Sequence, residues 1–121
     1  MMRIAVTSKG KDLTSKVDPR FARAPYLLVF DTNDENLEVI DNSQNVNAAH
    51  GAGIKAAENV VNKKVDIVVA GNFGPKAIQA LKAADIKTVE WTEGTVSEAI
   101  ELARNNKFKT SDKPSVEGHW E

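Results

Sequence analysis

The stretch DIVVAGNFGP, residues 66–75, decides the fold of this chain. Residues 66–70 are apolar after the first, which is typical of a strand that is covered on both faces. Gly71 and Gly74 then turn the chain, and Pro75 stands where the first turn of a helix tolerates proline. A buried strand that turns directly into a helix predicts an α/β fold with parallel strands.

The segments on either side of this stretch extend the pattern. Short β-branched or apolar runs predict five strands, at residues 3–7, 26–30, 37–40, 66–70 and 86–89. Helices are predicted over residues 54–62, from Pro75 onward, and from Val96 after a capping box formed by Thr95 and Glu98. The order predicts a three-layer α/β sandwich with a mixed five-stranded sheet and about three helices.

Apolar spacing predicts which side of each helix faces the core. Ile54, Ala57 and Val61 recur at helical spacing and are expected on one buried face of the first helix. The second and third helices carry longer apolar stripes, formed by Ala77, Ile78, Ala80, Leu81 and Ala84, and by Val96, Ala99, Ile100 and Ala103.

Composition limits the possible functions. The chain has 121 residues, 41% hydrophobic and 27% charged, which indicates one soluble globular domain. We expect this domain at residues 1–108 and a flexible C-terminal tail at residues 109–121. A net charge of −1 argues against nucleic-acid binding. Without a membrane-length apolar run or a signal-peptide pattern, a cytoplasmic protein with no membrane contact is expected.

The absence of cysteine narrows the chemistry further. It excludes disulfides, thiolate metal sites and a cysteine nucleophile. The first predicted strand lacks the carboxylate with which nuclease folds hold magnesium, and neither G-x-S-x-G nor H-E-x-x-H occurs. We therefore expect no catalytic residues. With only two histidines, a metal is expected inside a preformed cofactor. His50 precedes a predicted helix and, taken by itself, is more typical of a capping or solvent-facing residue than of a ligand.

Two glycine loops precede predicted helices. The first is formed by His50, Gly51, Ala52 and Gly53, and the second by Gly71, Asn72, Phe73 and Gly74. The start of a helix has backbone N–H groups without partners and a partial positive charge, so two such starts side by side would receive an anion. An ordinary tight packing of small residues is the alternative. Dinucleotide binding is disfavoured, because the first loop does not follow its strand in a tight turn.

A long polar segment, residues 8–25, carries a local excess of cations, namely Lys9, Lys11, Lys16, Arg20 and Arg23. These charges could face an anion that the glycine loops hold. Alternatively the segment is a solvated loop whose charges have no role. Phe21 lies between the two arginines and is expected to anchor the loop.

Five motifs together resemble the dinitrogenase iron–molybdenum cofactor biosynthesis family, over roughly residues 2–108. They are the run at residues 4–6, and residues 21–26, 50–57, 70–77 and 94–100. The resemblance implies a ribonuclease-H-like fold without the nuclease site. It also implies a role in carrying or inserting an iron–molybdenum or related metal–sulfur cluster. Ala22 stands where the family often has glycine, and Arg20 where cofactor-carrying members tend to have histidine, which leaves His50 as the candidate histidine ligand.

These observations predict a non-enzymatic protein that binds or carries an anionic metal–sulfur cluster and meets a metallocofactor assembly or recipient protein. Backbone N–H groups of both glycine loops would hold the cluster, with Arg20 and Arg23 as counter-charges. Two alternatives remain open: a module that docks on assembly machinery without cargo, and a binder of phosphate esters.

Overall fold

The computed structural model describes residues 2–42 and 51–105. His50 and the predicted tail at residues 109–121 lie outside this part of the chain. The described elements, in chain order, are β1 Arg3–Ser8, β2 Tyr26–Asp31, β3 Asn36–Asp41, α1 Ala52–Asn62, β4 Ile67–Ala70, α2 Pro75–Ala83, β5 Lys87–Glu90 and α3 Val96–Arg104.

The five strands form one mixed sheet in the order β3-β2-β1-β4-β5. β2 is antiparallel to both β1 and β3, whereas β1, β4 and β5 run parallel. The turn between β2 and β3 is held by its acidic side chains. Asp31 Oδ1 accepts the Asn33 N–H at 2.8 Å, and Asp34 Oδ1 accepts the Asn36 N–H at 3.0 Å. The predicted mixed sheet is confirmed.

Helices cover both faces of the sheet and make three layers. Along β1, Ala5 faces the cluster formed with α1 and α2, whereas Ile4 and Val6 face the cluster formed with α3. Because β1 and β4 are central and buried on both sides, β4 is wholly apolar and so is the middle of β1, residues 4–6. The predicted three-layer α/β sandwich with three helices is confirmed for the described residues.

The buried face of α1 differs from the prediction. Ile54 and Val61 are 42% and 40% exposed, so the expectation that they share a buried face with Ala57 is wrong. The buried residues are mostly small ones, namely Ala52, Gly53, Ala56, Ala57 and Val60. Small residues let α1 lie close to the sheet and to α2, which the apolar spacing of a single helix does not reveal. The strand limits differ from prediction by one residue at several ends.

Candidate functional site

Most of the predicted site residues lie at one end of the sheet, where β1, β3, β4 and β5 end and β2 begins. We call this end the loop edge. Ser8 at the end of β1 pairs with Tyr26 at the start of β2, and Tyr26 pairs with Asp41 at the end of β3. Since β4 and β5 run parallel to β1, the loops after them leave from this same edge. α1 and α2 both begin here, on one face of the sheet. In open α/β sheets, ligands bind outside the carboxyl ends of the strands.

The first half of the long loop is a small hairpin, residues 9–17, which we call the finger. The Lys9 N–H donates to the Lys16 carbonyl at 3.0 Å, and a bridge joins Ser8 to Val17. A second bridge joins Lys16 to Thr95. Backbone hydrogen bonds therefore hold the finger on the domain, while its three lysines, Lys9, Lys11 and Lys16, are exposed.

The finger covers the start of α3. The Val96 and Ser97 N–H groups donate to the Ser15 and Leu13 carbonyls, each at 2.9 Å. The predicted capping box is confirmed, because Thr95 Oγ1 accepts the Glu98 N–H at 3.3 Å and Glu98 Oε1 accepts the Thr95 N–H at 3.0 Å. Its backbone and side-chain hydrogen bonds from Thr95 lower the pKa of Glu98. Chain atoms thus occupy the first N–H groups of α3, which leaves α1 and α2 as the candidate anion-binding helices.

The second half of the loop is tied to the second glycine loop. The Phe21 N–H donates to the Asn72 carbonyl at 3.2 Å, and a parallel bridge joins Arg20 to Asn72. Phe21 and Phe73 are each 1% exposed, and their ring centroids lie 5.2 Å apart. Phe21 therefore anchors the loop as predicted, and its partner is the aromatic residue of the opposite loop.

The side of Gly71 on which a side chain would stand is already filled by neighbouring residues. A Cβ atom on Gly71 would lie 2.5 Å from Pro19 Cα, 2.6 Å from the Pro19 carbonyl oxygen and 2.5 Å from Thr92 Cγ2. The missing side chain of Gly71 is therefore no opening for cargo. The glycine instead lets the long loop cross directly over the end of β4.

The remaining residues of the two glycine loops differ in how far they reach solvent. Ala52, Gly53, Phe73 and Gly74 are buried, whereas Gly51, Gly71 and Asn72 are half-buried. Gly51 has a left-handed backbone, with φ 78° and ψ 6°, which favours glycine. Gly74 has φ −82° and ψ 172°, an ordinary extended conformation, and Pro75 follows it at the first helical position as predicted. Three residues of the two glycine loops, Gly51, Gly71 and Asn72, are therefore partly accessible.

Arg20 and Arg23 both lie on this edge and are half-buried. Arg20 Nε lies 3.5 Å from Asp18 Oδ1, and the same oxygen accepts the Arg20 backbone N–H at 2.8 Å. Arg23 also has interaction partners. Arg20 is thus a paired cation rather than a solvated one.

Asp18 and Pro19 are the residues of this edge that the sequence reasoning missed. Asp18 is 3% exposed, and its backbone is fixed on β1 by hydrogen bonds with Thr7 in both directions, at 2.8 and 2.9 Å. A signal was present in the sequence. Asp-Pro-Arg is typical of a turn in which the aspartate oxygen accepts the N–H two residues further on, as it does here.

Within residues 2–42 and 51–105, no group of three histidine or acidic side chains could hold a metal ion. The predicted ligand His50 lies outside these ranges. None of the helices in the described part is long and apolar enough to cross a bilayer.

The fold and the loop edge together define a small α/β domain whose candidate site is built mainly from loops and helix starts. The sequence model described as "Dinitrogenase iron-molybdenum cofactor" matches residues 2–106. The chain therefore belongs to the dinitrogenase iron–molybdenum cofactor family.

Solved structures agree with this assignment. The apo form of the orange protein from Desulfovibrio gigas is 37% identical, with a TM-score of 0.91 over 96% of this chain and 98% of that one. TM1290 from Thermotoga, described as a candidate NifB protein of the DUF35 family, is 39% identical, with a TM-score of 0.83 over the same shares. Uncharacterized protein MJ0580 of Methanocaldococcus jannaschii is 26% identical over 98 residues, 78% of this chain and 82% of its own length.

Proposed function

We propose that this protein binds and carries an anionic metal–sulfur cluster of the iron–molybdenum cofactor type, without catalysing a reaction of its own. Membership of the dinitrogenase iron–molybdenum cofactor family is the observation that carries the proposal. The similarity to a protein whose structure is that of an apo form also supports a role in binding a removable group. The cargo would pass between metallocofactor assembly and recipient proteins in the cytoplasm.

The geometry of the loop edge supports an anionic cargo. α1 and α2 pack against each other and both begin at this edge, where the positive ends of their backbone dipoles lie. Gly51, Gly71 and Asn72 are the members of the two glycine loops that reach the surface. The backbone of Arg20 is bridged to that of Asn72, so this cationic residue belongs to the same edge. We propose that these backbone groups, with Ala52, Gly53, Phe73 and Gly74 behind them, form the cargo site, with Arg20 and Arg23 as counter-charges and His50 as a metal ligand.

Anaerobic uptake of isolated iron–molybdenum cofactor tests this proposal. The wild-type protein should co-elute with molybdenum and iron in gel filtration and acquire the absorbance of the cluster. Arg20→Gln combined with Arg23→Gln should weaken uptake by about tenfold and reduce its salt dependence, because two charges near the cargo are lost.

Lys87→Gln combined with Lys82→Gln is the matched control, because it removes the same charge elsewhere. Lys87 begins β5, at the opposite edge of the sheet, and Lys82 lies in the last turn of α2. Uptake by this control should stay close to wild type. If the wild type takes up no cofactor, or if both double variants lose it equally, the proposed function is wrong.

The docking module without cargo is kept as a second candidate because of the outer face of α1. Ile54 and Val61 are large apolar residues that are about two-fifths exposed on this helix. A protein of this second kind would stay colourless after the same titration.

A further inference from the structure

Asp18, two residues before Arg20 in the same loop, competes with an anionic cargo for the positive charge of Arg20. We propose that Asp18 is the internal counter-anion of Arg20, which weakens the grip of the site on its anionic cargo and so permits release. This inference rests on the proposed function. It assigns to Asp18 a role in tuning affinity through Arg20, not a contact with the cargo.

The contacts of Asp18 fix the carboxylate in place. Its backbone is held on β1 by Thr7, and its side chain is 4% exposed. Oδ1 accepts the Arg20 backbone N–H at 2.8 Å, a bond that holds the turn whatever the Arg20 side chain does. Asp18 therefore cannot follow the guanidinium if the latter moves toward a ligand.

The contact of the Arg20 side chain is weaker than that of its backbone. Nε lies 3.5 Å from Asp18 Oδ1, at the outer limit of a hydrogen bond, and the side chain is 35% exposed. Within residues 2–42 and 51–105, the two terminal guanidinium nitrogens have no hydrogen-bond partner. These nitrogens carry the N–H donors that bind anions in pairs.

An exchange between the two anions follows from this arrangement. When cargo binds, Arg20 turns its charge from Asp18 toward the cargo, and the Asp18 carboxylate keeps the backbone N–H of Arg20. When cargo leaves, the Arg20 side chain returns to the Asp18 carboxylate. The buried carboxylate therefore keeps at least one hydrogen-bond donor in both states. A site with this internal counter-anion binds more weakly than a site with Arg20 alone, which suits a protein that must hand its cargo on.

The test compares four proteins: wild type, Asp18→Asn, Arg20→Gln and the double variant. Each is titrated anaerobically with isolated iron–molybdenum cofactor, and cofactor release into buffer is timed. Asn keeps an oxygen that can accept the Arg20 backbone N–H, so the turn is preserved. Asp18→Asn should bind about three- to tenfold more tightly than wild type and release cofactor more slowly.

The cycle separates the proposed role from simple repulsion between Asp18 and the cargo. If Asp18 acts through Arg20, the fold-increase in affinity caused by Asp18→Asn should be at least three times larger in the wild-type background than in the Arg20→Gln background. An equal or larger gain in the Arg20→Gln background would overturn the inference, because repulsion does not need the arginine. Unchanged or weaker binding by Asp18→Asn, with normal wild-type uptake, would overturn this inference alone.

Melting followed by circular dichroism checks that each variant folds. If Asp18→Asn does not fold, Asp18→Ser replaces it, because a serine hydroxyl can accept the same backbone N–H. A wild type that takes up no cofactor would remove the proposed function and this inference together.

Discussion

Phe21 and Phe73 pack their rings with centroids 5.2 Å apart and an interplanar angle of 35°, and both rings are buried. This pair joins the long loop after β1 to the glycine loop after β4. The two loops are therefore packed against each other, and the packing of the core sets their position relative to the sheet. Phe21 also belongs to the core cluster shared with α1 and α2.

Phe21→Ala should lower the free energy of unfolding by about 3–5 kcal/mol, because a buried aromatic side chain is lost and a cavity remains. Denaturant unfolding measures this change. With Phe73→Ala, a double-mutant cycle should show a coupling of about 0.5–1.5 kcal/mol, as expected for an aromatic pair. Strictly additive effects would mean that the rings contribute only through burial.

Gly71→Ala should destabilise the domain by roughly 1–3 kcal/mol, because the new methyl group overlaps the backbone of Pro19. Thermal or denaturant unfolding provides the measurement. Adding Thr92→Ala removes the other close atom but leaves Pro19 in place, so it should not restore stability. Full recovery in the double variant would show that Thr92 alone sets the need for glycine.

Val60 and Val61 offer a matched pair for the orientation of α1. Val60 is fully buried and Val61 is 40% exposed. Val60→Ala should cost about 2–3 kcal/mol of unfolding free energy, since two buried methyl groups and their packing are lost. Val61→Ala should cost under about 1 kcal/mol. Equal losses in denaturant unfolding would contradict the observed face.

The capping box of α3 predicts a pH dependence. Its hydrogen bonds from Thr95 lower the pKa of Glu98 below the ordinary value of 4.5. The stabilisation by the ionised carboxylate is therefore fully present above that ordinary value and is lost as the pH falls through the lowered pKa. Wild type should be more stable than Glu98→Gln at pH 7, and the gap should narrow toward pH 3.

Unfolding curves of both proteins across this range measure the gap. Glu93→Gln, at an exposed position before the helix, serves as the control and should show a smaller pH-dependent difference. A gap between wild type and Glu98→Gln that stays constant would contradict the assigned cause.

Local chemistry was enough to predict most of the fold. Apolar runs located the strands, Pro75 marked the start of α2, and the pattern of Thr95 and Glu98 located the start of α3. These signals act within a few residues, so they are visible in a sequence. The resemblance of five motifs in the right order also led to the correct family.

Features that depend on distant contacts could not be predicted in the same way. The outward position of Ile54 follows from how closely α1 packs on its neighbours, which its own spacing does not specify. The sequence does not show that Pro19 lies against Gly71 and fills the space of a side chain there. The pairing of Arg20 with a buried Asp18 likewise depends on where β1 holds the loop, so the prediction of Arg20 as a counter-charge did not include this partner.

The hydrogen bonds of the finger limit the order in which the chain can fold during synthesis. Its carbonyls at Leu13 and Ser15 are acceptors for N–H groups of α3, the last described helix. β1 must also wait for β4 before its second edge is paired. The early part of the nascent chain therefore cannot reach its final hydrogen bonding until α3 has left the ribosome. A ribosome-bound fragment that lacks α3 would therefore present the Leu13 and Ser15 carbonyls without their N–H donors.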